Sequence, residues 1–137
     1  MREILFRGKA FDNGWVEGLL VWVDHNDETA LIRTIGKDGV GYFDFLVDFE
    51  TVGQYTGLTD KNGKKIFEGD IVEYPIESGG YKGENIHEVV FENRHGTAYF
   101  GIKMSNIETW GFDMEVPSKL MKVIGNIHDN PELLEVS

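Results

Sequence analysis

The chain contains no cysteine. Disulfides, thiolate catalysis and cysteine-ligated zinc are therefore excluded from its chemistry. Proline is scarce as well, with three residues in 137. Turning falls instead to 17 glycines, which reach positive φ without steric strain. No stretch approaches the roughly 20 apolar residues that a membrane helix needs. The opening MREILFRGKAF has no apolar run of the kind a secretion signal carries. These absences predict a soluble, cytoplasmic protein with no membrane partner. Positive charge is also short: 13 Lys and Arg stand against 24 Asp and Glu, a net charge of −11. The deficit is even, −6 over residues 1–74 and −5 over 75–137, so no basic stripe suited to a phosphate backbone is readable. Nucleic acid is disfavoured as a partner. Such acidity suits a basic protein partner, although solubility alone explains it too.

What is present reads as β structure. Hydrophobic residues make up 41% of the chain and aromatics 12%, enough to build a core and of the kind that favours strands. This length predicts a single domain, residues 1–137, around one core. REILFRGKAF and WVEGLLVWV flank Asp12-Asn13-Gly14 as a hairpin. DHNDE (24–28) is a polar loop, and TALIRTI (29–35) and YFDFLVD (42–48) are strands. In the latter Phe43, Phe45 and Val47 share one face and Asp44, Leu46 and Asp48 the other. TVGQYTG, KIF and IVEYP are extended segments separated by DKNGK and EGD, with Asn62-Gly63 the strongest hairpin signal. Residues 77–85, ESGGYKGEN, read as a mobile loop. IHEVVFE (86–92) and TAYFGIKM (97–104) form a hairpin around NRHG. Residues 105–118 are ambiguous, with Ser105 and Glu108 as a weak capping box. KLMKVIGNI is the last strand, and DNPELLEV is a helical turn with Asn130 as N-cap and Pro131 at the first position. No amphipathic helix separates the strands. The expected class is mainly β: antiparallel strands in a barrel-like or two-sheet arrangement with little helix.

Residues able to carry chemistry are present but not in working patterns. His25, His87, His95 and His128 have no metal-ligand spacing. Asp24, Asn26 and Glu28 imitate the start of a calcium loop, but Thr29 and Ile35 stand where that loop requires Gly and Glu. Glu68 and Asp70 flank Gly69. Paired carboxylates do acid–base work when their environments drive their pKa values apart. The simpler reading is a corner in which Asp70 accepts backbone N–H groups and Gly69 takes the unusual φ. There is no GxSxG, P-loop or GxGxxG. Trp15, Trp22, Trp110, Tyr42, Tyr55, Tyr74, Tyr81 and Tyr99 include enough rings for a base-stacking platform, but core and protein-interface roles suit them better. No catalytic residue, cofactor site or metal site is expected.

TVGQYTGLTDKNGKKIFEGDIVEY (51–74) and VIGNIHDNPELL (123–134) closely resemble the YopX family of phage and prophage proteins, and FRGKAFDNGWVEG resembles that family's opening in a looser form. The resemblance implies a mainly β fold and an origin in phages or prophages of Gram-positive bacteria. It brings no catalytic residues. YTGLTDKNGKKIFEGDIV is also similar to a turn-and-strand segment of SH3-like barrels. Gly57, Asp60, Asn62, Gly63, Gly69, Asp70, Gly125 and Asn126 are read as a structural turn motif.

The expected function is that of a non-enzymatic accessory protein acting through protein–protein binding, with a host or phage protein as partner. The alternatives are a nucleic-acid-associated module with an SH3-like or OB-like surface, and a carboxylate- or metal-dependent enzyme. Self-association is expected from WVEGLLVWV. Strict alternation puts Trp15, Leu19, Val21 and Val23 on one face and Val16, Leu20 and Trp22 on the other. A sheet apolar on both faces is covered by another layer or another subunit, so a homo-oligomer is predicted.

Overall fold

A computed structural model describes residues 4–12, 14–74, 77–78, 81–82, 86–94, 96–104, 109–113 and 116–134. The chain divides into two compact units, Met1–Gly57 and Leu58–Ser137, each with its own hydrophobic cluster. The protein is mainly β, with a closed four-stranded barrel and a second sheet. Among the described residues no helix is long and apolar enough to cross a membrane.

In the first unit, β1 (Phe6–Ala10), β2 (Gly14–Asp24), β3 (Thr29–Ile35) and β4 (Tyr42–Thr59) pair in order, and β1 pairs again with β4 to close the barrel. The strands form where β-branched and aromatic residues accumulate, and they end at Gly-rich or Asp/Asn-rich turns. The 24–28 loop is held by Asp24, whose Oδ1 accepts the N–H groups of Asn26 (2.9 Å) and Asp27 (3.2 Å). That carboxylate serves an Asx turn, the structural use of an acid in this position.

The barrel interior is narrow. Ala30, Ile32 and Val47 are fully buried and Ala10 nearly so, with Phe6, Val16, Leu20, Val23 and Phe45 packed around them. At Gly18 a Cβ would collide with the main-chain carbonyl of Arg33 on the adjacent strand. Only glycine permits that approach, because backbone cannot move aside as a side chain can.

Closure requires β4 to bend. Opposite β1 its register jumps between the pairs Arg7↔Gly53 and Lys9↔Asp48. The Thr51 hydroxyl pins the bend, accepting the Lys9 N–H at 2.8 Å and donating to the Asp48 carbonyl at 2.6 Å.

A second irregularity corrects the alternation expected for WVEGLLVWV. β2 pairs with β3 as Leu19↔Arg33 and Leu20↔Ile32, then shifts so that Trp22 lies opposite Leu31 and Val23 opposite Ala30. Val21 is the extra residue of a β-bulge. Beyond a bulge the faces exchange. Trp22 therefore joins Leu19 on the outside, and Val23 joins Leu20 inside. On β4, Phe45 and Val47 face inward and Asp44 and Leu46 outward, as alternation predicts. Phe43 shares the inward register but remains 68% exposed.

In the second unit a hairpin turn leads from β4 to β5 (Lys65–Phe67). A five-stranded sheet runs in the order β11-β10-β9-β6-β12, built from β6 (Asp70–Glu73), β9 (Ile86–Arg94), β10 (Thr97–Lys103), β11 (Thr109–Gly111) and β12 (Lys122–Asn126). Its core gathers Ile66, Val72, Val89, Ile102, Val116 and Met121. Residues 77–85, expected to be a loop, contain a two-stranded ladder of β7 (Glu77–Ser78) and β8 (Tyr81–Lys82). The Ser105–Glu108 capping box lies outside the described residues. Among the described residues helix is limited to single 3-10 turns at Ser118–Leu120 and Pro131–Leu134. Asn130 does not cap the latter with its side chain as expected. Its Oδ1 accepts the Asn126 N–H at 3.2 Å, so the side chain serves the preceding turn.

Thr51→Val keeps the β-branched shape and removes both hydroxyl bonds at the bend. It is expected to destabilise the barrel by about 1–3 kcal/mol, read as a lower urea midpoint by tryptophan fluorescence. An unchanged midpoint would contradict the role given to this hydroxyl.

Candidate functional site

Two places concentrate polar or aromatic groups, and they differ in what they can do. The first is the turn motif of the second unit. Asp60 begins the hairpin turn with 2% of its surface exposed. Its Oδ1 accepts the N–H groups of Asn62 (2.8 Å) and Lys64 (2.9 Å), and its Oδ2 accepts that of Val123 (2.9 Å). Burial pushes this carboxyl up. The three N–H bonds and the nearby Lys64 charge more than offset burial, and the group lies below the ordinary carboxylate value.

Gly63 has φ +80° and its N–H donates to the Asp60 carbonyl at 3.0 Å. The loop is thus Lys61–Gly63 with its third residue left-handed. The two-residue Asn-Gly turn, which needs positive φ at both central positions, is not used. Asn62 has negative φ, since among the described non-glycine residues only Glu28 and Asp113 are positive. Gly57 and Gly69 have φ +87° and +91°. Asp70, 1% exposed, accepts the Phe67 N–H at 2.7 Å across the corner.

The two segments that carry the family resemblance meet here. Asp60 holds Val123, Ile71 pairs with Gly125, Asp70 pairs with Asn126, and the Ile127 N–H donates to the Gly69 carbonyl. Asn126 Oδ1 accepts the N–H groups of His128 (3.0 Å) and Asp129 (2.9 Å). At Gly125 a Cβ would lie 2.6 Å from Asn130 Oδ1. Asp60, Asn62, Gly63, Gly69, Asp70 and Asn126 sit at turns or strand ends, whereas Gly57 lies within β4 and Gly125 within β12, at the register shift opposite β6. The acids among them are engaged with backbone, which makes Asp60 a poor proton acceptor for chemistry. Among the described residues no group of three or more His, Asp or Glu could hold a metal. The His25 ring stands edge-on to Phe49, 5.0 Å between centroids. His87 is buried at 6% exposure in the other unit.

The second place is the outer face of β2, β3 and β4. Cross-strand register puts Leu19 beside Arg33 and Arg33 beside Asp44; Trp22 beside Leu31 and Leu31 beside Leu46; and Ile35 beside Tyr42. Leu19 is 48% exposed, Trp22 44%, Ile35 49%, Tyr42 56% and Leu46 46%. At the centre Arg33 grips Asp44 with both arms of its fork, Nε to Oδ1 at 2.8 Å and Nη2 to Oδ2 at 3.0 Å. The guanidinium also lies 4.1 Å from the centroid of the Tyr42 ring. The Asp44 hydrogen bond raises the Arg33 pKa further, and the Arg33 hydrogen bond lowers that of Asp44. Both groups stay charged at any physiological pH.

Of the aromatic residues singled out from sequence, Trp22 and Tyr42 stand exposed on this face. Tyr55 is buried, Trp15 lies under Arg7 with 4.8 Å from guanidinium carbon to ring, and Trp110 is half-buried in the second unit. Arg33 and Asp44 escaped sequence reading. The available signal was a lone cation in TALIRTI and, in YFDFLVD, Asp44 flanked by Phe43 and Phe45, opposite charges within two neighbouring apolar strands.

Asp60→Asn should destabilise the second unit by about 2–4 kcal/mol. The amide accepts fewer N–H groups and turns a donor toward one of them. A carboxyl whose folded pKa lies below its unfolded value of about 3.9 contributes stability that is fully present above that value and lost as pH falls through the folded one. The gap between wild type and Asp60→Asn in denaturant midpoint should therefore be constant near neutrality and close in acid. A gap that widens in acid would contradict the assignment.

Comparison with known proteins accords with this fold. The crystal structure of protein EF1440 from Enterococcus faecalis is similar, with a TM-score of 0.56 and 24% sequence identity, over 98% of this chain and 100% of that one. At such identity the likeness shows the fold alone. No curated protein matches the chain. The model of the YopX protein family matches residues 5–135, spanning both units and both segments of the turn motif, and the chain belongs to the YopX family.

Proposed function

We propose that the protein acts by binding another protein through the outer face of β2, β3 and β4, as a non-enzymatic accessory protein of a phage or prophage in the bacterial cytoplasm. The observation that carries this reading is the contiguity of the face. Scattered exposed apolar residues are ordinary on any soluble protein, whereas a continuous apolar patch marks an interaction surface. Here Trp22, Leu31 and Leu46 are cross-strand neighbours, as are Ile35 and Tyr42, and Leu19 lies beside Arg33 in the row between them. Aromatic residues and arginine are the types enriched where interfaces bury most energy. The Arg33 side chain is already oriented by Asp44 and Tyr42, so less side-chain freedom is lost on binding.

The alternatives receive less support. Phosphate-backbone binding needs several cations in a row, and this face offers one guanidinium already facing a carboxylate. An enzymatic reading needs a carboxylate free to exchange a proton, and Asp60 and Asp70 are committed to backbone N–H groups.

The test is site-specific crosslinking in cells, with a photoreactive benzoylphenylalanine replacing Tyr42, and a second variant replacing the exposed Leu120 of the other unit. A discrete protein adduct from position 42 and none from position 120 is expected. No adduct from position 42 would overturn the reading.

A further inference from the structure

We infer that Asn62 is a latent site of spontaneous deamidation, kept unreactive by the turn that Asp60 builds and open to reaction when that turn opens. The inference is independent of the binding face and concerns the other unit. Three observations support it.

The first is the chemistry of the sequence. Of the chain's eight asparagines, two precede glycine, Asn13 and Asn62. Deamidation begins when the main-chain nitrogen of the following residue attacks the asparagine side chain at Cγ. A side chain on that following residue obstructs the approach, and glycine has none. Asn126 is followed by Ile127, whose branched Cβ crowds the same approach, and Asn130 by Pro131, which has no N–H to give up. At position 62 the reaction balances with water as the one co-reactant. The bond from Gly63 N to Asn62 Cγ forms, the bond from Cγ to Nδ2 breaks, and ammonia leaves with the proton of the Gly63 N–H. Water then opens the five-membered imide at either carbonyl and leaves aspartate or isoaspartate at position 62.

The second is access. Lys61, Asn62, Gly63 and Lys64 are all exposed, and a Cβ built on Gly63 would meet nothing within 4 Å. Water and hydroxide reach this amide freely. Protection in the folded chain therefore comes from backbone geometry, since packing supplies none.

The third is that geometry. The Gly63 N–H donates to the Asp60 carbonyl at 3.0 Å, and the Asp60 N–H donates to the Lys64 carbonyl at 2.8 Å. Asp60 Oδ1 holds the N–H groups of Asn62 and Lys64 at 2.8 and 2.9 Å. Attack requires the peptide unit between residues 62 and 63 to rotate until its nitrogen faces Asn62 Cγ. That rotation breaks the bond to the Asp60 carbonyl. The reaction thus passes through an opened turn, at a rate set by how often the turn opens. Isoaspartate also carries the main chain through one extra carbon. It lengthens the loop that the Asp60–Lys64 bonds span, so a marked chain does not regain the turn. Each opening that reacts is recorded irreversibly in the chain.

Peptide mapping by mass spectrometry tests this on the intact protein at mildly alkaline pH, with isoaspartate identified by enzymatic methylation. In guanidinium chloride above the unfolding midpoint, position 62 should deamidate as readily as position 13, since both precede glycine. In native buffer position 62 should react about tenfold or more slowly than in denaturant, the factor that about 1.4 kcal/mol of turn closure supplies. Asp60→Asn, verified as folded by circular dichroism, should react faster at position 62 than the wild type in native buffer. Val89→Ala loosens the core of the same unit and leaves the turn bonds in place, so it controls for stability and should react more slowly than Asp60→Asn. Equal rates at position 62 in native buffer and in denaturant would overturn the protection, whether or not Asp60→Asn folds. No reaction at position 62 in denaturant, where position 13 reacts, would overturn the site. A folded Asp60→Asn that reacts no faster than the wild type or Val89→Ala would overturn the role of the Asp60 turn.

Discussion

A closed barrel of four strands encloses very little volume, and the outer surface of the first unit follows from that constraint. Barrel width grows with strand number, and with four strands the interior admits Ala10, Ala30, Ile32 and Val47. At Gly8 a single added carbon would already lie 2.7 Å from Val47 Cγ2. Each strand offers one row of side chains inward and one outward. Strands rich in Leu, Ile, Trp and Tyr cannot place both rows inside so small a cylinder. Leu19, Trp22, Ile35, Tyr42 and Leu46 are consequently exposed. The outer face is thus a consequence of closure, and the Arg33–Asp44 pair gives that surface a fixed polar centre.

The second unit meets a different requirement. Its acids near the turns are buried, and a buried charge is tolerable only when its lone pairs are satisfied. Asp60 meets three N–H groups and so ties the Lys61–Gly63 turn to β12. Residues 51–74 and 123–134 are distinctive for this architectural reason. They encode a mutual fit of turns, and the fit leaves the surfaces of the molecule available for function.

Much of the fold is legible in the sequence. TALIRTI is strand from end to end because β-branched and apolar residues fill it between polar turns. Asn62-Gly63 marks its hairpin because Gly63 must be left-handed, although the loop that uses it is one residue longer than an Asn-Gly pair suggests. Other features need the third dimension. Nothing in LLVWV announces that Val21 bulges, and this one-residue slip exchanges the places of Trp22 and Val23. The pairing of Arg33 with Asp44 depends on register, which hydrophobic pattern constrains and bends alter. The division into two clusters is hidden because β4 runs without a break from Tyr42 to Thr59, across the boundary at Gly57. No linker composition marks the change.

The exposed apolar face of the barrel is proposed as a surface that binds another protein. Methyl-labelled NMR spectra recorded before and after addition of the protein captured from position 42 test it most directly. The methyl signals of Leu19, Val21, Leu31, Ile35 and Leu46 should shift on binding, while those of Ile66 and Val89 in the core of the second unit stay fixed. Outer-face methyls that remain unmoved in the complex, or shifts confined to the second unit, would contradict it.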